Sequence, residues 1–458
     1  MLDLPSPYNS PEEYTEDLCD FIDTPLVSQI TGGIHVNDAL IRDAWQRLPE
    51  EWTSWWSLFH DHRHVQQDLI DGIRDKFEQG SDIGTEPALA EKRPQSLSSW
   101  LAKIGSLALP RNQRQGPVLT LPEILTARMN TKKIAEVSKA AAYIHAVCQR
   151  RGIAHVIDMG SGQGYLSSSL AYLFSDLKVL AIDGSQSQVE GAQLFAASLK
   201  IPKDKLEHMV HWVDGSPPLV AKMTDWSNGQ KCMLVGLHAC GNLSEHMLRY
   251  FATVSCIDSL AAIGCCYNHI VPASSSCPEG FPISSVLRNK NVALSPTALM
   301  IACQAPNNWG KPNLEKANER VTSAFSKRRL YRAILEKVFF DKDIRIHEGG
   351  RAAWGIRKGD LVSFPKFANR AMGCLGVGSE EITIEELVMY EKRYKHCEGQ
   401  IAILWTLSVL CWKVVESVIA MDRYWFLAHQ DGIEVEIFPI FDFKVSPRNL
   451  ILVAEKTV

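Results

Sequence analysis

The stretch from His155 to Leu170, HVIDMGSGQGYLSSSL, constrains this chain more than any other. An apolar run ends in Asp158, glycines follow at 160, 162 and 164, and a helical pattern begins at Tyr165. Glycine lets the backbone turn tightly and approach a ligand where a Cβ would clash. Unpaired amides at the start of the following helix point into the same loop. A dinucleotide loop, G-x-G-x-x-G, needs its third glycine so that helix and strand pack closely. That position is the bulky Tyr165, so the spacing departs from a dinucleotide loop.

Short apolar runs alternate with helical patterns on either side, at 155–159, 178–183, 208–214, 231–239 and 260–266. This alternation predicts a parallel sheet buried on both faces. The first three runs end in Asp158, Asp183 and Asp214. The D-x-G-x-G-x-G pattern suits a cationic sulfonium ligand without phosphates, with Asp158 near its amino-acid end. A carboxylate at Asp183 can accept both hydroxyls of a ribose, and Asp214 is placed to meet an adenine amino group. The expected cofactor is therefore S-adenosylmethionine. Gly160, Ser161, Gly162 and Gly164 form its loop, and Tyr165 and Leu166 open its helix. Gly184, Gly215 and His238 complete the expected contacts.

Residues 34–78 read as helical, with Trp52, Trp55 and Trp56 forming either a small core or a stacking platform for bases. A polar stretch at 78–95 reads as a linker, and 96–111 as an amphipathic helix that Pro110 stops. Residues 312–432 turn helical again, and within them Ile401–Trp412 reads as a buried helix too short for a membrane span. The last segment, 434–456, reads as two strands joined near Ser446-Pro447. The expected domains are a helical region at 1–118, a sheet core at 119–310, a helical insertion at 311–432 and a closing hairpin at 433–458. Twelve irregularly spaced cysteines and no apolar leader pattern point to an intracellular protein, cytoplasmic or nuclear.

Several motifs in order resemble the methyltransferase-like protein 25 family, which includes a relative named for a ribosomal RNA adenine dimethylase domain. They are SLSSWLAKIGSLALPR (96–111), MNTKKIAEV (129–137), VIDMGSGQGYLS, VGLHACGNLS, AIGCCYN, GFPIS (280–284), YRAILE, DRYWFL and SPRNLILVAEK. Ala135 stands where that family usually has histidine. The resemblance implies an α/β, Rossmann-like, seven-stranded class I methyltransferase sheet with an N-terminal helical domain and a helical insertion before the last two strands. LHACG and the paired cysteines are also similar to a tRNA 2′-O-methyltransferase family, over those strands alone.

Ligands of such sheets bind beyond the carboxyl ends of the strands. The fourth run delivers His238, Cys240, Gly241 and Asn242 there; the fifth delivers Cys265, Cys266, Tyr267, Asn268 and His269. His238 is the expected base, by its ordinary pKa, and Tyr267 or Asn268 is expected to orient the acceptor. The Asn-Pro-Pro-aromatic loop of many base N-methyltransferases is missing. No metal is expected, because successive strand residues point to opposite faces and Cys265 and Cys266 would not share an ion. Basic residues recur at Lys311, Lys316, Arg320, Lys327, Arg328, Arg329 and Arg332, spaced to track a phosphate backbone or to form a solvated helix face. RNA is the expected acceptor, although the net charge of −4 and a pI near 6.4 do not mark a generic nucleic-acid binder. The alternatives are a protein or small-molecule acceptor, with the helical regions as a partner surface, or a cofactor-binding scaffold without activity.

Overall fold

β1 (His155–Met159) and β2 (Lys178–Asp183) coincide with the first two apolar runs. β3 covers Leu206–Val210, β4 Cys232–Cys240, β5 Ile257–Cys265, β6 Ile433–Pro439 and β7 Leu450–Lys456. They form one sheet in the order β3-β2-β1-β4-β5-β7-β6, with β7 antiparallel to both its neighbours. This is the seven-stranded Rossmann-like sheet expected from the sequence, closed by the expected hairpin. The computed structural model describes residues 2–33, 35–73, 92–304, 324–346, 355–378 and 381–457. Most of the polar stretch (78–91) and Lys311, Lys316 and Arg320 lie outside the described residues.

β3 begins two residues before the run at 208–214 and leaves it early. The His211 amide still donates to the Asp183 carbonyl at 2.9 Å, but β2 ends there. Beyond that point an edge strand has no partner, and Trp212 onward becomes loop. β5 starts earlier than its apolar run because Asp258 is neutralised there. Arg151 donates to it at 2.8 and 2.9 Å and Lys231 at 2.9 Å. The long helix Thr131–Arg151 is capped by the Asn130 side chain, which accepts from the Lys133 amide at 2.8 Å. It ends at Gly152, whose positive φ suits a C-terminal cap. Its buried face joins β1, β2 and β4 in one apolar core with Leu166, Leu170, Ile451 and Val453.

The chain divides into two compact units. The first comprises Met1–Phe21, Leu107–Asn307 and Lys413–Val458; the second comprises Ile22–Ser106 and Asn308–Trp412. This departs from the expected boundaries, in which the N-terminal helices (1–118) and the insertion (311–432) were separate regions. Polar contacts explain the regrouping. Gln66 donates to the Thr406 hydroxyl at 2.8 Å, and the Ser408 hydroxyl to the Ile30 carbonyl at 2.8 Å, so the two helical blocks share one core. The helix Pro11–Ile22 instead belongs with the sheet. There the Tyr14 hydroxyl donates to the Leu107 carbonyl at 2.8 Å and the Trp425 indole to Thr15 at 2.8 Å.

Within the second unit Trp52, Trp55 and Trp56 are buried, and Trp52 sits 5.4 Å from Trp100 and 5.9 Å from Trp56, ring centre to ring centre. They are core, not a stacking platform. The described part of the basic run is half-buried. The Arg329 guanidinium lies 3.6 Å from the Trp405 ring centre, and burial lowers its pKa to about 10. Arg328 donates to the Ile356 carbonyl, and Lys327 lies over Tyr331. Lys327, Arg328 and Arg329 are half-buried, each held against a neighbour of its own unit. The apolar stretch around 401–412 lies in a helical region whose hydropathy alone would permit a membrane span, yet 89% of that window is buried in protein.

Candidate cofactor and acceptor site

Strand order reverses between β1 and β4, which opens a crevice beyond their carboxyl ends. The glycine loop fills one side of it. The Gly160 and Ser161 amides donate to the Ile182 carbonyl at 2.8 and 3.0 Å, tying the loop to β2. Gly162 has φ 53°, and a Cβ built on it would meet only the Gln188 amide oxygen, at 4.0 Å. Its need for glycine is thus backbone strain and an open face, with no neighbouring side chain to clash. Asp183 accepts from the Gly162 amide at 2.8 Å and from the Ser185 amide at 2.9 Å, one bond on each oxygen. Each oxygen keeps a second lone pair for a ligand hydroxyl.

Asp158 is buried and accepts from the Ser167 hydroxyl. Burial raises its pKa, the Ser167 bond offsets part of that, and the Asp183 charge adds to it, leaving it at about 6. Asp214 is exposed and accepts from the Ser216 amide at 2.9 Å. Between Asp183 and Asp214 stands a residue that sequence reasoning missed. Trp212 is 76% exposed, and a Cβ added to Gly184 would lie 2.6 Å from its ring. An exposed indole against a bare backbone is a ready stacking face. Its signal was visible as the aromatic residue in HWVD, two positions before Asp214.

On the other side of the crevice, His238 Nε2 lies 2.9 Å from the Lys133 ammonium and 3.2 Å from a Glu136 carboxylate oxygen. Unprotonated, that nitrogen accepts from Lys133; protonated, it donates to Glu136. Burial alone would raise the Glu136 pKa. The hydrogen bond and charge of His238, the Ser446 hydroxyl at 2.8 Å and Lys133 outweigh it and hold Glu136 at about 2. Asn268 and His269 are exposed on the turn after β5. The Cys303 thiol donates to the Asn268 side-chain oxygen at 3.2 Å.

A family profile described as a methyltransferase domain matches residues 132–273. The chain carries a methyltransferase domain. It is 25% identical over 247 residues to the probable methyltransferase-like protein 25 of Homo sapiens, and 25% identical over 249 residues to that of Mus musculus. Each alignment covers 50% of this chain, but 37% and 38% of those proteins, so the chain spans well under half the length of either relative. The resemblance read from the motifs is borne out. A crystal structure of coclaurine N-methyltransferase bound to N-methylheliamine and SAH is 11% identical, covering 92% of this chain and 98% of that one, with a TM-score of 0.25. So slight an overall likeness adds nothing to the fold, which rests on strand order and the closing hairpin.

Two expectations about this methyltransferase domain need correction. Tyr267 does not reach the acceptor side. It is buried, with its hydroxyl 2.7 Å from a Glu416 carboxylate oxygen and 3.1 Å from the Gly264 carbonyl. Glu416 is itself paired with Arg111 and Arg448, so the phenol belongs to a buried ionic network. Tyr267→Phe should therefore cost about 1.5 kcal/mol of stability, measured as a lower urea midpoint, and leave cofactor affinity unchanged. Impaired turnover at full stability would return Tyr267 to the reaction site. The second correction concerns the cysteines. The Cys240, Cys265 and Cys266 sulfurs all lie within 4.8 Å of one another. Strand alternation fails there because β5 ends at Cys265 and Cys266 is left-handed, with φ 46° and ψ 50°. The hydrogen bond from Cys265 draws the Cys240 thiol below its ordinary range, with help from Cys266 and the nearby His238 and His269 and against burial.

Proposed function

We propose that the chain is an S-adenosylmethionine-dependent methyltransferase whose cofactor lies across the loop from Gly160 to Gly164. The single observation that carries this is the Asp183 carboxylate, which ties down the loop amide of Gly162 and still presents two lone pairs to the crevice. The open face of Gly162 leaves room for the ligand, and Trp212 offers a stacking face for its base. Bound there, the cofactor supplies an electrophilic methyl group. Methyl transfer is an in-line displacement, so the protein contributes alignment, exclusion of water and a proton acceptor. His238 is that acceptor in our reading. With Nε2–H donated to Glu136, Nδ1 is left to take the proton, and the buried carboxylate stabilises the resulting imidazolium. Asn268, exposed on the turn after β5, can orient the acceptor.

For the acceptor itself, RNA is supported by the partial likeness of LHACG and the paired cysteines to a tRNA methyltransferase family. The tryptophan cluster, which also favoured RNA in the sequence, is buried, and the basic side chains of 327–332 are half-buried. A labelled-cofactor assay on cell extract, with and without ribonuclease, separates the acceptor classes. Calorimetry should show binding of S-adenosylmethionine and none of NAD. Preference for NAD would defeat the cofactor assignment. Label in a ribonuclease-resistant protein band would replace RNA with a protein acceptor.

A further inference from the structure

Three thiols converge where β4 and β5 end. Cys240 closes β4, Cys265 closes β5, and the two are register partners on adjacent parallel strands. Register partners project to the same face, which brings their sulfurs to 3.0 Å. Cys266 would point away if the strand continued. Its left-handed backbone turns the side chain back to the same place, a conformation that non-glycine residues rarely adopt and that clusters at functional sites. The turn after β4 is equally specialised. Gly241 has φ 51°, and a Cβ on it would sit 2.6 Å from the His269 Cβ and 2.7 Å from the His269 carbonyl oxygen. Only glycine lets the two turns pass this closely.

We propose that Cys240, Cys265 and Cys266 form a binding site for a thiophilic cation of the Zn2+ class. Zinc–thiolate bonds of about 2.3 Å hold tetrahedral ligands about 3.8 Å apart. The observed separations, from 3.0 Å to within 4.8 Å, bracket that value, so small side-chain rotations suffice. A Cys240–Cys265 disulfide would use two sulfurs and leave the strained turn at Cys266 without a purpose. Three protein ligands leave one coordination position open, the pattern of catalytic zinc sites. The thiols lose their protons on binding, so metal uptake releases acid. The site lies beyond the strand ends but needs no methyl donor, and it stands or falls apart from the cofactor reading.

The test uses the whole 458-residue chain, purified with reductant and without chelator. Plasma mass spectrometry should find zinc at about one ion per chain. After stripping, Co2+ should produce the strong near-ultraviolet charge-transfer band of cobalt–thiolate bonds. Cys240→Ser and Cys266→Ser should each lose that band and bind Co2+ roughly tenfold or more weakly. Cys277→Ser, outside the cluster, should keep both. Buried Cys265 is left intact, so that a folding defect does not blur the result, and circular dichroism checks each variant. The proposal is overturned if folded, reduced wild-type protein shows no thiolate band with Co2+. It is also overturned if both serine variants bind Co2+ like the wild type, or if a Cys240–Cys265 disulfide occupies the site in place of metal.

Discussion

Asp183→Ala is expected to weaken S-adenosylmethionine binding about a hundredfold, close to 3 kcal/mol. The carboxylate has two roles, and alanine removes both. It accepts from the Gly162 and Ser185 amides, holding the glycine loop against the start of the next helix. Its remaining lone pairs are the ones offered to the ribose hydroxyls. Charge-assisted hydrogen bonds of this kind are the strong ones, and the amides lose their partner as well. Asp183→Asn keeps one carbonyl oxygen and should fall in between, about tenfold weaker. Isothermal titration calorimetry reads both variants. Wild-type affinity in Asp183→Ala would remove the cofactor from this loop.

Glu136→Gln should destabilise the protein by about 3 kcal/mol at neutral pH. The carboxyl is held at about 2 against an ordinary 4.5, a span worth about 3 kcal/mol at about 1.4 kcal/mol per decade. Because the folded pKa is the lower one, the stabilisation is complete above pH 4.5 and disappears as pH falls from there to about 2. Urea unfolding of wild type and variant at pH 7 and pH 3 should therefore show a large gap that narrows in acid. Turnover should also drop in the variant, because the neutral amide no longer stabilises a protonated His238. A constant gap across pH would mean that the loss is packing alone.

The parts of this fold that the sequence displayed are those governed by local pattern. β1 and β2 are apolar runs with an acid at or one residue before their end, and their bounds follow from burial on both faces. The end of β3 depends on the length of its neighbour, which no local window contains. Glu136 looks like any acid on an amphipathic helix; its meaning comes from His238, about a hundred residues away and brought near by the parallel crossover. Tyr267 sits among residues that do face the crevice, and only the backbone turn at Cys266 sends it inward. That same turn defeats the alternation rule for the cysteines. Arg329 is basic in sequence but aromatic-bound in space, because Trp405 arrives from a distant helix of its own unit.

The segment order along the chain also governs how the sheet is made in time. β5 finds β4 almost at once, but its other edge is closed by β7, where Ser259 pairs with Glu455. Roughly 200 residues separate the two, so at about 5–20 residues per second synthesis leaves that edge open for on the order of ten seconds or more. Through that interval an apolar strand with unpaired amides is a template for wrong partners. The second unit, whose Asn308–Trp412 segment is made in the same interval, thus sets a waiting time on completion of the methyltransferase sheet.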